Sequence, residues 1–106
     1  MAADVVEGRI RQIATEYAAL VSREFKSCEI YLFGSHANGT FTDDSDIDIA
    51  VVGDEFLVNP VMDMFHLMRL RRKIDTRIEP HPFLRKDFVD SNPYVDEILT
   101  TGIRIL

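Results

Sequence analysis

One segment of the chain, residues 46–52 (DIDIAVV), restricts the possible fold more than any other. Its first residues alternate between aspartate and isoleucine, and its last four residues are all apolar. This pattern predicts a largely buried strand. The 106 residues can bury one hydrophobic core but not two. We therefore expect a single domain over residues 1–106, built on a sheet that contains this strand.

Helical periodicity and turn residues divide the remaining chain into alternating helices and strands. Apolar residues spaced by three and four predict a helix over 4–25, and the Asn59-Pro60 pair begins a second helix that runs to about Arg72. A last helix is expected over 90–99, and PHP at 80–82 is expected to be a turn. The further strands are predicted at 28–33, 74–79 and 103–106. The order α, β, loop, β, α, β, α, β predicts an α+β fold, a small mixed sheet flanked by helices.

Composition excludes several classes of protein. The net charge of −6 argues against non-specific binding to duplex DNA, which requires a basic face. Cys28 is the single cysteine, so no internal disulfide is possible, and its apolar surroundings predict a core residue in a reducing compartment. No segment approaches the ~20 apolar residues of a membrane span, and the N-terminus has no signal-peptide pattern. We expect a cytoplasmic location.

Asp46 and Asp48 form the first candidate site. Residues i and i+2 of a strand point to the same face, about 6.6–7 Å apart along the chain. Two carboxylates on one strand suit Mg²⁺, which binds one or two protein carboxylates together with substrate phosphates. Aspartates on the wet side of a strand are also common without a metal, so this pair alone decides nothing.

Two further features strengthen the hypothesis of a metal site. Gly34-Ser35 directly follows a predicted strand, where a glycine lets a phosphate approach the backbone and a serine hydroxyl can bind its oxygens. A Gly-Ser pair by itself is more often a simple turn. The segment RRKIDTRIEP supplies a third acid, because Asp75 and Glu79 are expected on one face of the next strand, together with Arg77.

This combination resembles the signature of the DNA polymerase beta-like nucleotidyltransferase superfamily, and FGSHANGTFTDDSDIDIAVV is similar to the minimal nucleotidyltransferase (MNT) group of bacteria and archaea. The resemblance implies the polymerase beta-like fold, and it implies that Gly34 and Ser35 bind the β- and γ-phosphates of the nucleotide. It further implies that two Mg²⁺ ions are held by Asp46, Asp48 and a third carboxylate that accepts the proton of the attacking hydroxyl. Asp75 is preferred for that third position, with Glu79 as the alternative.

The resemblance also implies a reaction and a partner. ATP is the expected donor, AMP the transferred group, and the acceptor a tyrosine of a co-encoded helical HEPN toxin, for which the MNT protein acts as antitoxin. Two alternatives remain: an antitoxin that neutralises its partner by contact alone, and a nucleotidyltransferase for a small molecule such as an antibiotic. Homo- and hetero-oligomers are both open. One departure from the family pattern is Asn38 before Gly39, where many members carry a basic residue. Arg77 or a partner's arginine is one candidate substitute, and the alternative is that Asn38-Gly39 forms a tight turn.

The three histidines and the second long helix receive simpler interpretations. His36 is expected to be a solvated loop residue, His66 has no assigned role, and His81 is expected to serve the PHP turn. The cations Arg69, Arg71, Arg72 and Lys73 are expected on a solvated face, with binding of a partner or of substrate RNA as the alternative. Met62, Met64 and Met68 are expected in the core, with a partner interface as the alternative.

Overall fold

The computed structural model describes residues 8–25, 28–42, 44–54 and 59–106. In chain order the elements are helix α1 (Gly8–Glu24), strand β1 (Glu29–Phe33), helix α2 (Ser35–Asn38), strand β2 (Ile47–Gly53), helix α3 (Pro60–Arg71), strand β3 (Ile78–Leu84), a 3-10 turn (Arg85–Asp87), helix α4 (Pro93–Thr101) and strand β4 (Ile103–Arg104). The part of the first predicted helix over 4–7 lies outside the described residues. The small mixed sheet with flanking helices confirms the predicted fold class.

The four strands are arranged in the order β3-β2-β1-β4. β1 is antiparallel to both β2 and β4, whereas β2 and β3 are parallel and are joined by the crossover helix α3. Asp48 is opposite Phe33 of β1 on one side and opposite Glu79 of β3 on the other. The end of β1 and the starts of β2 and β3 are therefore neighbours at one end of the sheet.

Each face of the sheet is covered by helices. On one face α1 and α3 pack against alternate residues of the strands, among them Ile47, Ile49 and Ile78, all fully buried. On the other face Ile98 of α4 packs against Ala50 and Phe33. Because strand residues alternate between faces, Asp48 and Glu79 share the face of α4.

α1 and α3 are joined by a buried hydrogen bond. Tyr17 is fully buried, and its hydroxyl donates to the carbonyl oxygen of Leu67 at 2.8 Å. Burial raises the pKa of Tyr17 above its usual range, so the hydroxyl stays protonated and remains a donor. α3 begins as predicted, with Pro60 at its first position and the Asn59 side chain accepting from the Met62 N–H at 3.3 Å.

The predicted extent of the third strand is wrong. β3 begins at Ile78 rather than at residue 74, and it continues through Pro80-His81-Pro82 instead of ending there. Both prolines are tolerated because β3 is an edge strand. The Ile47 N–H donates to the Arg77 carbonyl at 2.9 Å, so alternate residues from Arg77 onward bond to β2 and the proline nitrogens lie on the open side.

The side chain of Arg71 covers part of that open side, because its guanidinium donates to the Ile78 carbonyl at 2.9 Å.

The expected core positions of Met62 and Met64 are wrong: these side chains are 59% and 37% exposed on α3. None of the helices in the described ranges is long and apolar enough to cross a membrane.

Candidate active site

Gly34 lies where the three strand ends meet. It follows β1 directly and has φ 77° and ψ −155°, a conformation that only glycine adopts without strain. A Cβ at this position would overlap Oδ2 of Asp48 and would lie 3.3 Å from its Cγ. The glycine that the sequence places after the strand is therefore required by the close approach of the Asp48 carboxylate to the backbone.

A single helical turn, α2, follows Gly34. Ala37 and Asn38 donate their N–H groups to the Gly34 carbonyl at 3.0 and 3.1 Å, and Gly39 ends the turn with φ 86°. Asn38 Oδ1 accepts from both the N–H and the hydroxyl of Thr40, at 3.1 and 2.6 Å. Asn38-Gly39 thus builds a tight turn. The Ser35 hydroxyl forms no hydrogen bond to any described residue, so it is available to a ligand.

His36 attaches this turn to the loop that leads to Asp46. The prediction of a solvated loop histidine is wrong, because the residue is only 4% exposed. Its ring stacks on Phe41, with centroids 4.9 Å apart, and its Nε2 lies 3.4 Å from the carbonyl oxygen of Ser45. Asp44 is exposed in the same loop, and Asp43 lies outside the described residues.

Two carboxylates and a histidine form a cluster next to Gly34. Oxygen atoms of Asp48 and Glu79 lie within 4.8 Å of each other and of a ring nitrogen of His81. Asp46 lies within hydrogen-bonding reach of Glu79, and that bond raises the pKa of the Glu79 carboxyl. Burial and the negative charges of Asp48 and Asp46 raise it further, while His81 opposes the shift.

His81 and Tyr94 extend the cluster, and the sequence analysis identified neither. His81 Nε2 lies 3.1 Å from Asp48 Oδ1 and 3.9 Å from Glu79 Oε1, while Nδ1 lies 3.3 Å from the Tyr94 hydroxyl. Burial and the charges of Asp48 and Glu79 raise the pKa of Tyr94. The prediction that His81 serves a turn is wrong, because His81 lies within β3. A prediction that continued the strand through Pro80 would have placed His81 on the same face as Glu79, because residues i and i+2 share a face.

Asp75 lies in the turn between α3 and β3 rather than on the strand. Its Oδ1 accepts from the N–H of Arg77 at 2.8 Å and from its Nε at 3.1 Å, and its Oδ2 accepts from Nη2 at 3.0 Å. These bonds to Arg77 lower the pKa of Asp75. Among the described residues, the acids and histidines grouped closely enough to share a metal ion are Asp48, Glu79 and His81.

Comparison with known proteins identifies the family. The sequence model of the nucleotidyltransferase domain matches residues 14–96 of the chain. The chain belongs to this nucleotidyltransferase family. A crystal structure of a candidate nucleotidyltransferase from Sulfolobus solfataricus superposes with a TM-score of 0.64 at 24% identity, covering 91% of this chain and 78% of that one. That similarity shows the shared fold, and none of the curated proteins matches the sequence significantly.

The donor set of this nucleotidyltransferase domain fits the divalent metal that such enzymes generally use. Asp46, Asp48 and Glu79 offer carboxylate oxygens, which are the ligands that Mg²⁺ prefers. The Asp48 carboxylate occupies the space in which a side chain at position 34 would lie, so this candidate metal ligand is in contact with the glycine. Of the residues predicted from sequence, the fold brings Gly34 into contact with Asp48 and places Asp46 near Glu79.

Proposed function

We propose that this domain is a metal-dependent nucleotidyltransferase that transfers AMP from ATP to a hydroxyl acceptor. The observation that carries the proposal is that the Asp48 carboxylate lies against the glycine that ends β1 and close to Glu79, whose pKa Asp46 raises. The family supports nucleotidyl transfer in general, and the choice of ATP comes from the resemblance to the MNT group.

In this reaction the acceptor oxygen attacks the α-phosphorus, and the bond to the bridging oxygen of the leaving pyrophosphate breaks. Gly34 and the Ser35 hydroxyl bind the β- and γ-phosphates. When bound, two Mg²⁺ ions neutralise charge on the α-phosphate and on the pyrophosphate. Asp46, Asp48 and Glu79 would hold these ions, and positioning and electrostatics would then account for most of the rate.

We assign the third carboxylate to Glu79 in preference to Asp75. Glu79 lies opposite Asp48 in the β2–β3 register, whereas both carboxylate oxygens of Asp75 accept hydrogen bonds from Arg77. The proton of the acceptor hydroxyl passes to Glu79, the carboxylate that lies next to Asp48 in this cluster.

The acceptor is a tyrosine of a co-encoded helical HEPN protein, and the domain acts as its antitoxin. The support for a protein partner is the surface of α3. Val61, Met62 and Phe65 are 63%, 59% and 61% exposed, and a cavity of about 560 Å³ is lined by apolar residues of this helix and by Arg71 and Arg72. We call the exposed side chains of Val61, Met62, Met64 and Phe65 the α3 face.

The α3 face ends in cations that suit an acidic partner. Arg69, Arg72 and Lys73 are exposed, and none of them forms an ion pair with a described residue. The whole chain carries a net charge of −6, so this local excess of positive charge is distinct from its surroundings. An apolar helix edged with carboxylates would bury the α3 face and pair with these cations.

One incubation tests the proposal. The protein is mixed with α-labelled ATP, Mg²⁺ and the protein encoded beside it, and label on that protein is measured. Label is expected with the wild type, is lost in Asp46→Ala with Asp48→Ala, and is retained in the control Asp87→Ala with Asp90→Ala, both exposed and outside the cluster.

The same assay separates the alternatives. Full neutralisation of the partner by the site double variant, with no label transferred by the wild type, would contradict the enzyme and favour inhibition by contact. Label that appears on an added aminoglycoside but not on the partner would favour a small-molecule acceptor.

A further inference from the structure

We propose that His81 is a positioning residue that holds Asp48 in the orientation needed to bind a divalent cation, and that Tyr94 fixes the protonation pattern of the His81 ring. The inference rests on the proposed function, because it concerns the same site. It adds two residues outside the carboxylate set, and it is carried by a chain of hydrogen bonds from α4 through β3 to β2.

The hydrogen-bond chain has one consistent direction. An ionised Asp48 can only accept, so the contact of 3.1 Å requires a proton on His81 Nε2. In a neutral ring Nδ1 is then unprotonated and accepts, and the Tyr94 hydroxyl donates to it across 3.3 Å. The raised pKa of Tyr94 keeps that hydroxyl protonated. Every group in the chain has the partner that its chemistry requires.

The two oxygens of Asp48 have different neighbours. Oδ1 accepts from His81, whereas Oδ2 abuts the Gly34 backbone, where the phosphates are proposed to lie. Holding Oδ1 on β3 therefore fixes the rotation of the carboxylate and directs Oδ2 towards the phosphate side. A histidine that bonds a metal-binding carboxylate in this way pre-orients the ligand before the ion arrives.

The surroundings of His81 limit the motion of its ring. The ring packs edge-on against Phe33, with centroids 5.0 Å apart and an interplanar angle of 64°. Pro80 and Pro82 fix the backbone dihedral φ on both sides of the residue. Tyr94 is held at the start of α4, where the Asn92 side chain accepts its N–H at 2.9 Å. These contacts keep Nε2 pointed at Asp48.

Direct ligation of the metal by His81 is the competing role. It would require an unprotonated Nε2, loss of the bond to Asp48 and a reversed bond in which Nδ1 donates to Tyr94. The two roles differ in what can replace the histidine. The amide of a glutamine can donate to Asp48 from about the position of Nε2, whereas leucine cannot donate at all.

Binding of Mn²⁺ in the absence of nucleotide, followed by electron paramagnetic resonance, tests the proposal. His81→Leu is expected to weaken Mn²⁺ binding by about 10- to 100-fold, the usual effect of losing such a supporting residue. His81→Gln is expected to stay within about 3-fold of the wild type, and Tyr94→Phe to fall between them. His66→Leu is the matched control, because His66 also contacts a carboxylate, Glu24 at 3.0 Å, away from the cluster.

Two results would overturn the proposal. One is an unchanged Mn²⁺ affinity in His81→Leu, with urea unfolding showing that the variant is folded. The other is electron spin-echo modulation from a nitrogen bonded directly to Mn²⁺ in the wild type, which would make His81 a ligand. Failure of the proposed function is recognised separately: no nucleotide transfer, although the Mn²⁺ affinities follow the expected order.

Discussion

At the scale of single residues, Glu79 and Asp75 differ in the charges that surround them. Glu79 lies among acids, and its carboxyl pKa is raised by Asp46, by burial and by Asp48. Asp75 lies beside Arg77, which lowers its pKa. An acid kept at an electrostatic cost to the fold is typical of a functional site, whereas an acid satisfied by a neighbouring cation stabilises local structure.

Glu79→Gln should therefore separate stability from activity. We expect nucleotide transfer to fall by at least about 100-fold, because the proposed metal ligand and proton acceptor is removed. The metal-free protein should be as stable as the wild type or more stable, because a repelling charge is gone. Transfer assays and urea unfolding without metal measure the two effects. Unchanged transfer would return the third position to Asp75.

Asp75→Asn should change stability in a pH-dependent way. The folded-state pKa of Asp75 lies below its unfolded value of about 4, so its stabilisation is present above that pH and is lost as the pH falls through the lowered folded-state pKa. At pH 7 the variant should lose about 1 kcal/mol of unfolding free energy, and the loss should vanish in acid. Thermal unfolding across pH measures it, with Asp44→Asn in the exposed loop as control.

Gly34→Ala should damage the fold and the site together. A methyl group would meet the Asp48 carboxylate in a backbone region that disfavours side chains. We expect a loss of about 1–3 kcal/mol in unfolding free energy and a fall in nucleotide transfer. Gly8→Ala is the control, because a Cβ there has no neighbour within 4 Å. Equal stability of the two variants would contradict the close approach of Asp48 to Gly34.

At the scale of elements, the sequence pattern predicted those helices and strands whose buried face repeats regularly along the chain. The periodicity of α1 and the alternation of β2 identified their buried faces because burial itself produces those periods. Gly34, Ser35, Asp46 and Asp48 could be proposed as site residues because each lies near the end of a strand whose pattern is clear in the sequence.

β3 could not be predicted in the same way. Whether a strand can contain Pro80 and Pro82 depends on its place at the sheet edge, which is a property of the tertiary fold. Because the bounds of β3 were predicted wrongly, Asp75 was expected on the strand and His81 was expected in a turn. The burial of His36 depends likewise on a loop contact with Phe41 that no periodicity encodes.

The edge of β3 offers a test of this account. Arg71→Leu removes the donor to the Ile78 carbonyl, and we expect a loss of about 1 kcal/mol in unfolding free energy, with faster amide exchange along β3. Arg72→Leu is the matched control, because the Arg72 side chain is exposed and forms no hydrogen bond or ion pair with a described residue. Equal exchange in both variants would contradict a role of Arg71 in holding the edge.

At the scale of the whole molecule, the site and the α3 face lie on opposite sides of the sheet. Glu79 points to the side of α4, whereas the neighbouring Ile78 packs into the core with α1 and α3. β3 is the edge strand, so only one strand separates the two sides at this end of the sheet. A protein docked on α3 could therefore reach the carboxylate cluster around a single edge.

Phe65→Ser should weaken binding of the proposed partner without altering the site. Phe65 is 61% exposed, so the substitution should cost the isolated domain little stability and leave Mn²⁺ binding unchanged. Loss of a buried aromatic anchor from an interface typically costs about 2 kcal/mol or more, so we expect at least a 30-fold higher dissociation constant for the co-encoded protein. Isothermal titration measures the dissociation constant.

Leu99→Ser is the matched control for this prediction, because Leu99 is an apolar residue of α4 that is 42% exposed and lies outside the α3 face. Arg72→Glu tests the electrostatic contribution. It should weaken the binding of an acidic partner, and the difference from the wild type should shrink as salt screens the charges. If Phe65→Ser instead dissociates a dimer of this chain, seen by sedimentation, then the α3 face binds a second copy. If Phe65→Ser changes neither partner binding nor self-association, the docking surface lies elsewhere. The proposed route around β3 to the carboxylates is then also wrong.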